Sequence, residues 1–368
     1  MGQKQEDIIH QCRQRVSEID REIFALLKKR EQLSCQIGRA KRDLSIPDRD
    51  FNREKEVFDQ AKAMARELDL PADFVVAVQK LIIEASLSRQ EQDRIKHSFD
   101  KAQKSVLVVG GAGRLGNWLC RFFADCGHQI SVVDVVHPGF SCQYATKLDK
   151  SADNHDIIAV ATPIRVSNDI LNQIDALKLA RPTIFDVSSV KAPVHASLLK
   201  LKNHGSKVSS LHPMFGPAVN LLYGKHVIRT SVGVKEADEL VSDIFSATSL
   251  QVVDMSIDEH DATIAVLLTL SHLVSIVFVK ALEKSSFAVD YLETFSSPTF
   301  SQLLSVARKV MSENPHLYFE IQALNPHSKA AHDRLRSSLA DVSNAITQFD
   351  EEKFVTIMTD GEHYLSGK

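Results

Sequence analysis

Apolar residues recur along the first forty positions at alternating intervals of three and four residues. From Ile9 onward, neither proline nor glycine interrupts this pattern before Gly38. The apolar positions are Ile9, Cys12, Val16, Ile19, Ile23, Leu26, Leu33 and Ile37. This spacing is that of one face of an α-helix, and its length predicts a long helix that packs against a partner helix.

Two more helices are predicted before residue 96. Pro47 ends the first stretch, a second helix can start near Asp48, and a third can run from about Pro71. One face of the third helix carries Phe74, Val78, Leu81, Ile82 and Ala85. Residues 1–96 are therefore predicted to form an all-α domain.

The pattern changes after a polar linker near residue 100. Short apolar runs typical of buried strands follow, separated by stretches long enough for crossover helices. These runs are residues 105–109, 130–134, 156–160 and 183–186. They predict an α/β Rossmann domain with a doubly wound parallel sheet over residues 104–252. Helical spacing then dominates, which predicts an all-α domain over residues 253–368.

Charge and cysteine content narrow the function classes. The formal net charge is −3 and no long basic block occurs, so nucleic acid and anionic membranes are not expected as partners. The five cysteines form no C-x-x-C pair, which predicts neither a disulfide framework nor a metal site. The polar N-terminus lacks a secretory signal pattern, and we expect a cytoplasmic protein.

One apolar stretch, residues 262–279, contains no charged residue and approaches the length of a membrane span. Polar residues interrupt it, among them Thr263, Thr269 and His272. We therefore predict a buried core helix or a subunit-interface helix rather than a membrane span.

Charged and polar residues interrupt the apolar seam of the helical domain. Arg30 occupies the seam position between Leu26 and Leu33, and a buried cation requires an anionic partner. Lys41 lies eleven residues further on, close to three helical turns, and so shares its face. Asp50, Arg53 and Glu54 are spaced to line the second helix, as are Ser86 and Gln90 on the third. On pattern alone, the set fits either salt bridges in a dimerising coiled coil or an anion-binding site.

The set resembles the active site of the all-helical chorismate mutases in identity and spacing, over about residues 6–95. The matching positions are Arg13, Arg30, Lys41, Asp50, Arg53, Glu54, Ser86 and Gln90. The resemblance implies an intertwined homodimer in which Arg13 reaches the partner's site. It also implies that Arg13 and Arg30 bind the substrate's carboxylates, supported by Arg53, while Lys41 and Gln90 donate to its ether oxygen. Glu54 and Asp50 would orient the hydroxyl end and the cations, with Ser86 nearby.

A glycine-rich loop follows the first predicted strand. It matches G-x-G-x-x-G, and its residues are Gly111, Ala112, Gly113, Arg114, Leu115 and Gly116. The motif is weak alone, but a strand precedes it, a helix follows it, and Asp134 closes the next strand. Asp134 would bind ribose hydroxyls and repel a 2′-phosphate, so the expected cofactor is NAD rather than NADP.

Two later strand ends carry further chemistry. Ser189 and Lys191 follow one strand, and His212 begins the run His-Pro-Met-Phe-Gly-Pro at the end of the next. These segments resemble the prephenate dehydrogenases, with a weaker likeness over about residues 104–360. The resemblance implies that the helical domain at residues 253–368 is a substrate and dimerisation domain. The resemblance implies that His212 takes the proton of the 4-hydroxyl while hydride passes to NAD, with Ser189 orienting His212. Residues near the cofactor and substrate would include Lys191, His260 and His272.

The substrate's ring carboxylate should meet an arginine on the helix after Pro298. An ungapped comparison places Lys309 there and Arg308 one residue earlier, while Ser301 replaces a second arginine. We favour Arg308 because a guanidinium binds a carboxylate with two hydrogen bonds.

The whole chain thus resembles a bifunctional enzyme that converts chorismate to prephenate and oxidises prephenate. The first alternative is an arogenate dehydrogenase with a non-catalytic helical dimerisation module. A 3-hydroxyacid dehydrogenase would need a catalytic lysine on the long helix after the nucleotide domain, and none occurs between Lys235 and Lys280.

Overall fold

The structure is a computed structural model. It describes residues 2–44, 51–97, 103–219, 222–246 and 248–367. Three segments follow one another along the chain: a helical segment, a sheet flanked by helices, and a second helical segment.

Three helices form the N-terminal segment: α1 (Gly2–Asp43), α2 (Phe51–Glu67) and α3 (Ala72–His97). α3 packs against both α1 and α2. Every side chain described from Gln5 to Leu26 is exposed, including the apolar stripe of that half of α1. The long helix is confirmed, and the partner of its first half does not come from the described residues of the same chain.

The central sheet has eight strands in the order β3-β2-β1-β4-β5-β6-β7-β8. The strands are β1 (Ser105–Val109), β2 (Gln129–Val133), β3 (Gln143–Ala145), β4 (Ile157–Val160), β5 (Thr183–Asp186), β6 (Lys207–Pro213), β7 (His226–Arg229) and β8 (Gln251–Asp254). Pairing is parallel from β3 to β6, antiparallel between β6 and β7, and parallel between β7 and β8. The doubly wound sheet is confirmed, whereas the antiparallel strand was not predicted.

Helices cover both faces of this sheet. They are α4 (Arg114–Asp125), α5 (Ile164–Leu177), α6 (Ala192–Asn203) and α7 (Lys235–Phe245), with a short 3₁₀ turn at Lys150–Asn154. In β1, Val106 and Val108 belong to one apolar core, and Leu107 and Val109 to the other. A strand buried on both faces needs an unbroken apolar run, which is the pattern seen in the sequence.

The C-terminal segment is helical. It contains α8 (Ile257–Ile264), a π-helical turn (Ala265–Leu270), α9 (Ser271–Glu283), α10 (Val289–Thr294), α11 (Pro298–Met311), α12 (Pro315–Leu324), α13 (Ser328–Thr347) and α14 (Glu351–Ser366). Among the described residues, one stretch, Ile257–Glu283, is long and apolar enough to cross a membrane.

The apolar stretch at residues 262–279 is helical, but most of it is not buried within the chain. Val266, Leu267, Val274 and Val277 are all exposed. The prediction of a buried core helix is therefore wrong for the single chain, because the helix packs on its neighbours along only part of its surface. An exposed apolar face on a helix is typical of a subunit interface.

Candidate active sites

The glycine-rich loop brings the N-terminus of α4 against the end of β1. A Cβ on Gly111 would lie 2.8 Å from Val132 Cγ1, and one on Gly116 would lie 2.0 Å from the Gly110 carbonyl oxygen. Neither position can hold a larger residue without moving the backbone. Gly113 caps α4 in an extended conformation, so the helix begins where a pyrophosphate can approach its free N–H groups.

Asp134 lies beside this loop, directly after β2. One carboxylate oxygen accepts a hydrogen bond from Ala112 N at 2.9 Å, and the other accepts from Val136 N at 3.1 Å. Arg114 forms a 2.5 Å ion pair with Glu313, which joins the loop to the C-terminal helices. Leu115 packs against the sheet core. The predicted cofactor residues are therefore grouped around one helix start.

A buried chain of three side chains ends at His212. His212 Nδ1 lies 2.9 Å from His260 Nε2, and His260 Nδ1 lies 2.8 Å from Asp261 Oδ1. The Asp261 carboxylate also accepts hydrogen bonds from the backbone amides of Lys191 at 2.9 Å and Ala192 at 2.8 Å. Asp261 was not predicted, although its position directly after His260 in a helix of the substrate domain was available as an indication.

These contacts define where the protons lie. Burial opposes ionisation of Asp261, yet the hydrogen bonds from His260 and the backbone keep its pKa below the ordinary value. An ionised Asp261 requires a proton on His260 Nδ1, which leaves His260 Nε2 to accept from His212 Nδ1. His212 Nε2 then carries no proton. Burial above all, with His260 and Lys191 adding to it, places the pKa of His212 well below 6.5, so the ring is neutral near pH 7.

Two predicted partners of His212 occupy different positions from those expected. Ser189 is half-buried, and its side chain makes no hydrogen bond to the described residues, whereas His260 holds the His212 ring. Lys191 is fully buried, donating to Asp186 Oδ2 at 3.0 Å and to the Leu211 carbonyl at 2.6 Å. The orienting role given to Ser189 and the substrate contact given to Lys191 stay predictions; in this structure Lys191 braces the ends of β5 and β6 from inside.

His272 and Arg308 lie on the C-terminal helices. The His272 ring packs on Tyr318 with centroids 4.1 Å apart, and burial lowers its pKa to about 4. Both terminal nitrogens of Arg308 bind the Glu293 carboxylate, at 2.7 and 2.8 Å. The structure therefore does not support Arg308 as the free carboxylate-binding group, because an acidic side chain of α10 already occupies its guanidinium.

A second polar site lies between α1 and α3. A cavity of about 810 Å³ is lined by both helices and includes Arg30 and Ser86. Arg30 is partly buried and donates to Ser86 Oγ and, at 3.4 Å, to the Ile82 carbonyl. Burial lowers the pKa of Arg30 from its ordinary value, and the half-buried cation faces the cavity.

Gln90 lies one turn further along α3. Its Nε2 donates to the carbonyl and hydroxyl oxygens of Ser34 at 2.9 and 2.7 Å. A carbonyl can only accept, so the amide nitrogen must face Ser34. A Cβ on Gly38 would approach Gln90 Cγ to 3.1 Å, which explains a glycine within a long helix. The N–H group predicted to meet the ether oxygen is thus bound to α1 in this structure.

The remaining members of the eight-residue set are more dispersed. Lys41 and Glu54 are half-buried, and Arg53 forms a 2.8 Å ion pair with Glu56. Arg13 is exposed on the part of α1 that extends from the bundle, and Asp50 lies outside the described residues. The structure brings Arg30, Ser86 and Gln90 together but leaves Arg13 apart from them. Across the described ranges, no group of three or more potential ligands could hold a metal ion.

Three family models match successive parts of the chain. Residues 12–91 match "Chorismate mutase type II", residues 137–252 match "Prephenate dehydrogenase, nucleotide-binding domain", and residues 256–360 match "Prephenate dehydrogenase, dimerization domain". The second match begins after the glycine-rich loop and Asp134. Together the three matches account for most of the chain.

Two curated relatives match long parts of the chain. The T-protein of Haemophilus influenzae is 22% identical over 349 residues, covering 95% of this chain and 90% of the relative. A "Probable arogenate/prephenate dehydrogenase" of Methanocaldococcus jannaschii is 23% identical over 274 residues, or 72% of this chain and 61% of its own length.

A solved structure shares the fold of the dehydrogenase part. The prephenate dehydrogenase of A. aeolicus, in complex with hydroxyphenyl propionate and NAD⁺, superposes with a TM-score of 0.59 at 21% identity. The superposition covers 73% of this chain and 99% of the other. With a helical mutase segment before a nucleotide-binding and a dimerization segment of the dehydrogenase type, the chain belongs to the bifunctional chorismate mutase/prephenate dehydrogenases, enzymes that are both isomerase and oxidoreductase.

Proposed function

We propose that the chain isomerises chorismate to prephenate between α1 and α3, and that His212 then initiates oxidative decarboxylation of prephenate to 4-hydroxyphenylpyruvate with NAD. The observation that carries the second step is the buried chain from Asp261 through His260 to His212, which leaves His212 Nε2 as a neutral proton acceptor. His212 lies at the carboxyl end of β6, which is the same edge of the sheet as the glycine-rich loop. Ligands of open α/β sheets bind at this edge.

The mutase step needs no proton transfer, because the rearrangement is pericyclic. The helical site therefore acts by holding a dianionic substrate in a reactive conformation and by stabilising charge on the breaking ether bond. Arg30, positioned by Ser86, supplies a cation in a partly buried cavity. We propose that Arg13 of a second chain and Lys41, with Arg53, Glu54 and Asp50, complete the lining.

The dehydrogenase step is a proton removal coupled to hydride loss. His212 Nε2 takes the proton of the 4-hydroxyl, and the C–H electron pair at C4 leaves as hydride; NAD, when bound, supplies the acceptor. Asp261 and His260 hold the resulting imidazolium in place. The resulting C4 carbonyl takes up, through the ring, the electron pair of the bond that breaks as the carboxylate leaves as carbon dioxide. The ring becomes aromatic, and the phenolate oxygen takes the proton back from His212. His272 is proposed to contribute to the same pocket through its ring.

The nucleotide loop fits a dinucleotide because its glycines let it fold closely onto β2 and the start of α4, where a Cβ on Gly111 would collide with Val132 and one on Gly116 with the Gly110 carbonyl oxygen. The free N–H groups at the start of α4 are then open to a pyrophosphate. Asp134 is the proposed determinant of NAD over NADP. Replacing Asp134 with asparagine is expected to raise the KM for NAD about tenfold and to improve the relative use of NADP, since repulsion of the 2′-phosphate is lost. Initial rates with each cofactor measure this, and the exposed Asp125→Asn serves as control. An unchanged ratio of the two cofactors would exclude this role for Asp134.

Asp261 should act on catalysis through His260. Asp261→Asn removes the charge that fixes the two imidazoles and places an amide against a backbone N–H, so kcat with prephenate is expected to fall about a hundredfold. The KM for prephenate should change less than about threefold, because Asp261 acts through His260 and does not contact the substrate, and mutase activity should be retained. Asp258→Asn, one turn earlier and exposed, is the matched control. Retention of kcat within a factor of about two would show that the carboxylate is dispensable.

The complete function is tested by NADH absorbance after chorismate and NAD are added to the purified enzyme. NADH from chorismate requires both activities. Prephenate and arogenate are then supplied directly as separate substrates. NADH from arogenate alone would favour the alternative of an arogenate dehydrogenase whose helical domain only dimerises.

We further propose a cytoplasmic homodimer with domains at residues 1–96, 104–252 and 253–368. The exposed stripe from Gln5 to Leu26 and the apolar face around Val274 and Val277 support two areas of contact between subunits. The five cysteines form no disulfide in this structure, as in proteins of a reducing compartment. Burial raises the pKa of Cys120 and Cys126 to about 12, so these two thiols are unreactive.

A further inference from the structure

The last turns of α3 belong to the dehydrogenase core as well as to the helical domain. Ile95 is 7% exposed and packs in the same apolar cluster as Trp118 and Phe122 of α4, the helix that begins at the glycine-rich loop. The helix that carries Ser86 and Gln90 therefore continues into the hydrophobic core of the nucleotide-binding domain.

Glu91 anchors this helix to two segments of the sheet domain. It is 3% exposed. Its two carboxylate oxygens accept hydrogen bonds from Leu222 N at 2.8 Å and from Ser249 N at 2.7 Å. Arg94 adds a 2.8 Å hydrogen bond to Ser249 Oγ and lies 3.7 Å from the Glu91 carboxylate. A buried carboxylate bound to two backbone amides is a strong and directional contact.

The anchored segments lead into the strands beside the catalytic histidine. Leu222 precedes β7, and Ser249 precedes β8, which pairs with β7. Within the sheet, Ile228 of β7 is the register partner of His212 in β6. On the other side of the anchor, Gln90 is adjacent to Glu91, and Ser86 lies five residues earlier, about 7.5 Å along the helix axis. One carboxylate thus connects the supporting structures of both sites without touching either substrate.

We propose that Glu91 is a positioning residue for both reactions: it fixes α3 against the start of β7 and β8, so that the mutase lining and the His212 strand are held by one buried contact. The proposal rests on the two activities proposed above. It implies that the helical domain and the sheet domain unfold as one cooperative unit.

Glu91→Ala tests this in the full-length enzyme. Loss of two hydrogen bonds to a buried charge is expected to lower kcat/KM about tenfold or more for both chorismate isomerisation and prephenate oxidation. The conservative Glu91→Gln keeps one acceptor oxygen and should lose less in both assays. Asp73→Asn, an exposed change of equal charge at the start of the same helix, should leave both activities at the wild-type level.

Unfolding measurements distinguish this role of Glu91 from a role confined to one domain. Trp118 is the only tryptophan in the sequence and lies in the core cluster with Ile95. In the wild type, its fluorescence and the helical circular dichroism should change in one transition, whereas Glu91→Ala should separate the two. Ser249→Ala, which removes only the Arg94 hydroxyl contact, should shift the same two transitions less. If Glu91→Ala does not fold, Glu91→Gln decides the question in the same assays.

The proposal would be overturned if Glu91→Ala lost only one of the two activities. It would also be overturned if both activities stayed within about twofold of the wild type and the fluorescence and circular dichroism transitions still coincided. A wild-type enzyme that lacks one activity would instead overturn the proposed function. In that case the separation of the unfolding transitions would still decide the role of Glu91.

Discussion

Replacing His212 with asparagine is expected to reduce the kcat of prephenate oxidation by about 10³-fold to 10⁴-fold, the range of a lost general base. The reason lies in the proton arrangement: Asp261 and His260 leave Nε2 of His212 as the one nitrogen of this chain of side chains that has no proton and accepts no hydrogen bond from within the chain. Asparagine fills much of the same space and can accept a hydrogen bond from prephenate, but it cannot take its proton. Steady-state assays with prephenate at saturating NAD measure the loss.

The pH dependence should follow from the same histidine. Because burial places the pKa of His212 well below 6.5, kcat/KM should stay on its plateau as the pH falls through 6.5 and decline only at lower pH. The stability effect has the same direction. An unfolded chain binds a proton near pH 6.5 that folded His212 does not bind, so the free energy of unfolding decreases as the pH falls below about 6.5. His212→Asn should remove the contribution of this histidine to the pH dependence of kcat/KM and to that of the free energy of unfolding.

Two comparisons make this result specific. His226→Asn changes an exposed histidine at the start of β7, next to the catalytic strand, and should leave the rate unchanged. Mutase activity of His212→Asn should also equal that of the wild type, since α1 and α3 are untouched. A variant that keeps more than about a tenth of the wild-type kcat would show that another group removes the proton.

The sequence predicts local features of these sites better than their long-range contacts. The glycine-rich loop was predictable because it is a contiguous motif with a strand directly before it and a helix directly after it. The partner of His212 was not, because His260 lies 48 residues away and reaches the strand only through the packing of α8. The orienting role was given instead to Ser189, as the family resemblance implies. A sequence pattern does not replace tertiary geometry for a buried polar network.

Burial was likewise predictable only where the residues that cover a segment come from the same chain. The unbroken apolar run of β1 correctly indicated a strand covered on both faces. The equally apolar stretch around Val274 and Val277 is exposed in the chain. Composition alone cannot distinguish a core helix from one whose partner is another subunit, because both require the same apolar residues. The seam position of Arg30 was the informative exception, since a cation there is costly unless a ligand or partner requires it.

Arg30→Leu is expected to reduce mutase activity by about 10²-fold to 10³-fold or more, as for loss of one preorganised electrostatic contact to the transition state. The substitution removes the cation that Ser86 holds in the cavity between α1 and α3. It also completes the apolar stripe between Leu26 and Leu33, so the helical domain should be as stable as before or more stable. Chorismate consumption and thermal unfolding, measured on the same preparation, separate catalysis from folding.

The matched control is Lys29→Leu, the adjacent exposed residue of α1. It changes the net charge equally but points about 100° away around the helix, outside the cavity, so its mutase activity should be that of the wild type. Oxidation of prephenate supplied directly should be normal in both variants, because His212 and the nucleotide loop are far along the chain and unaltered. An Arg30→Leu enzyme that still isomerises chorismate at close to the wild-type rate would make the polar seam a feature of dimer packing. Loss of that activity in a domain that remains folded would instead assign the cation to the reaction, since a scaffold has no use for a charge that weakens its own seam.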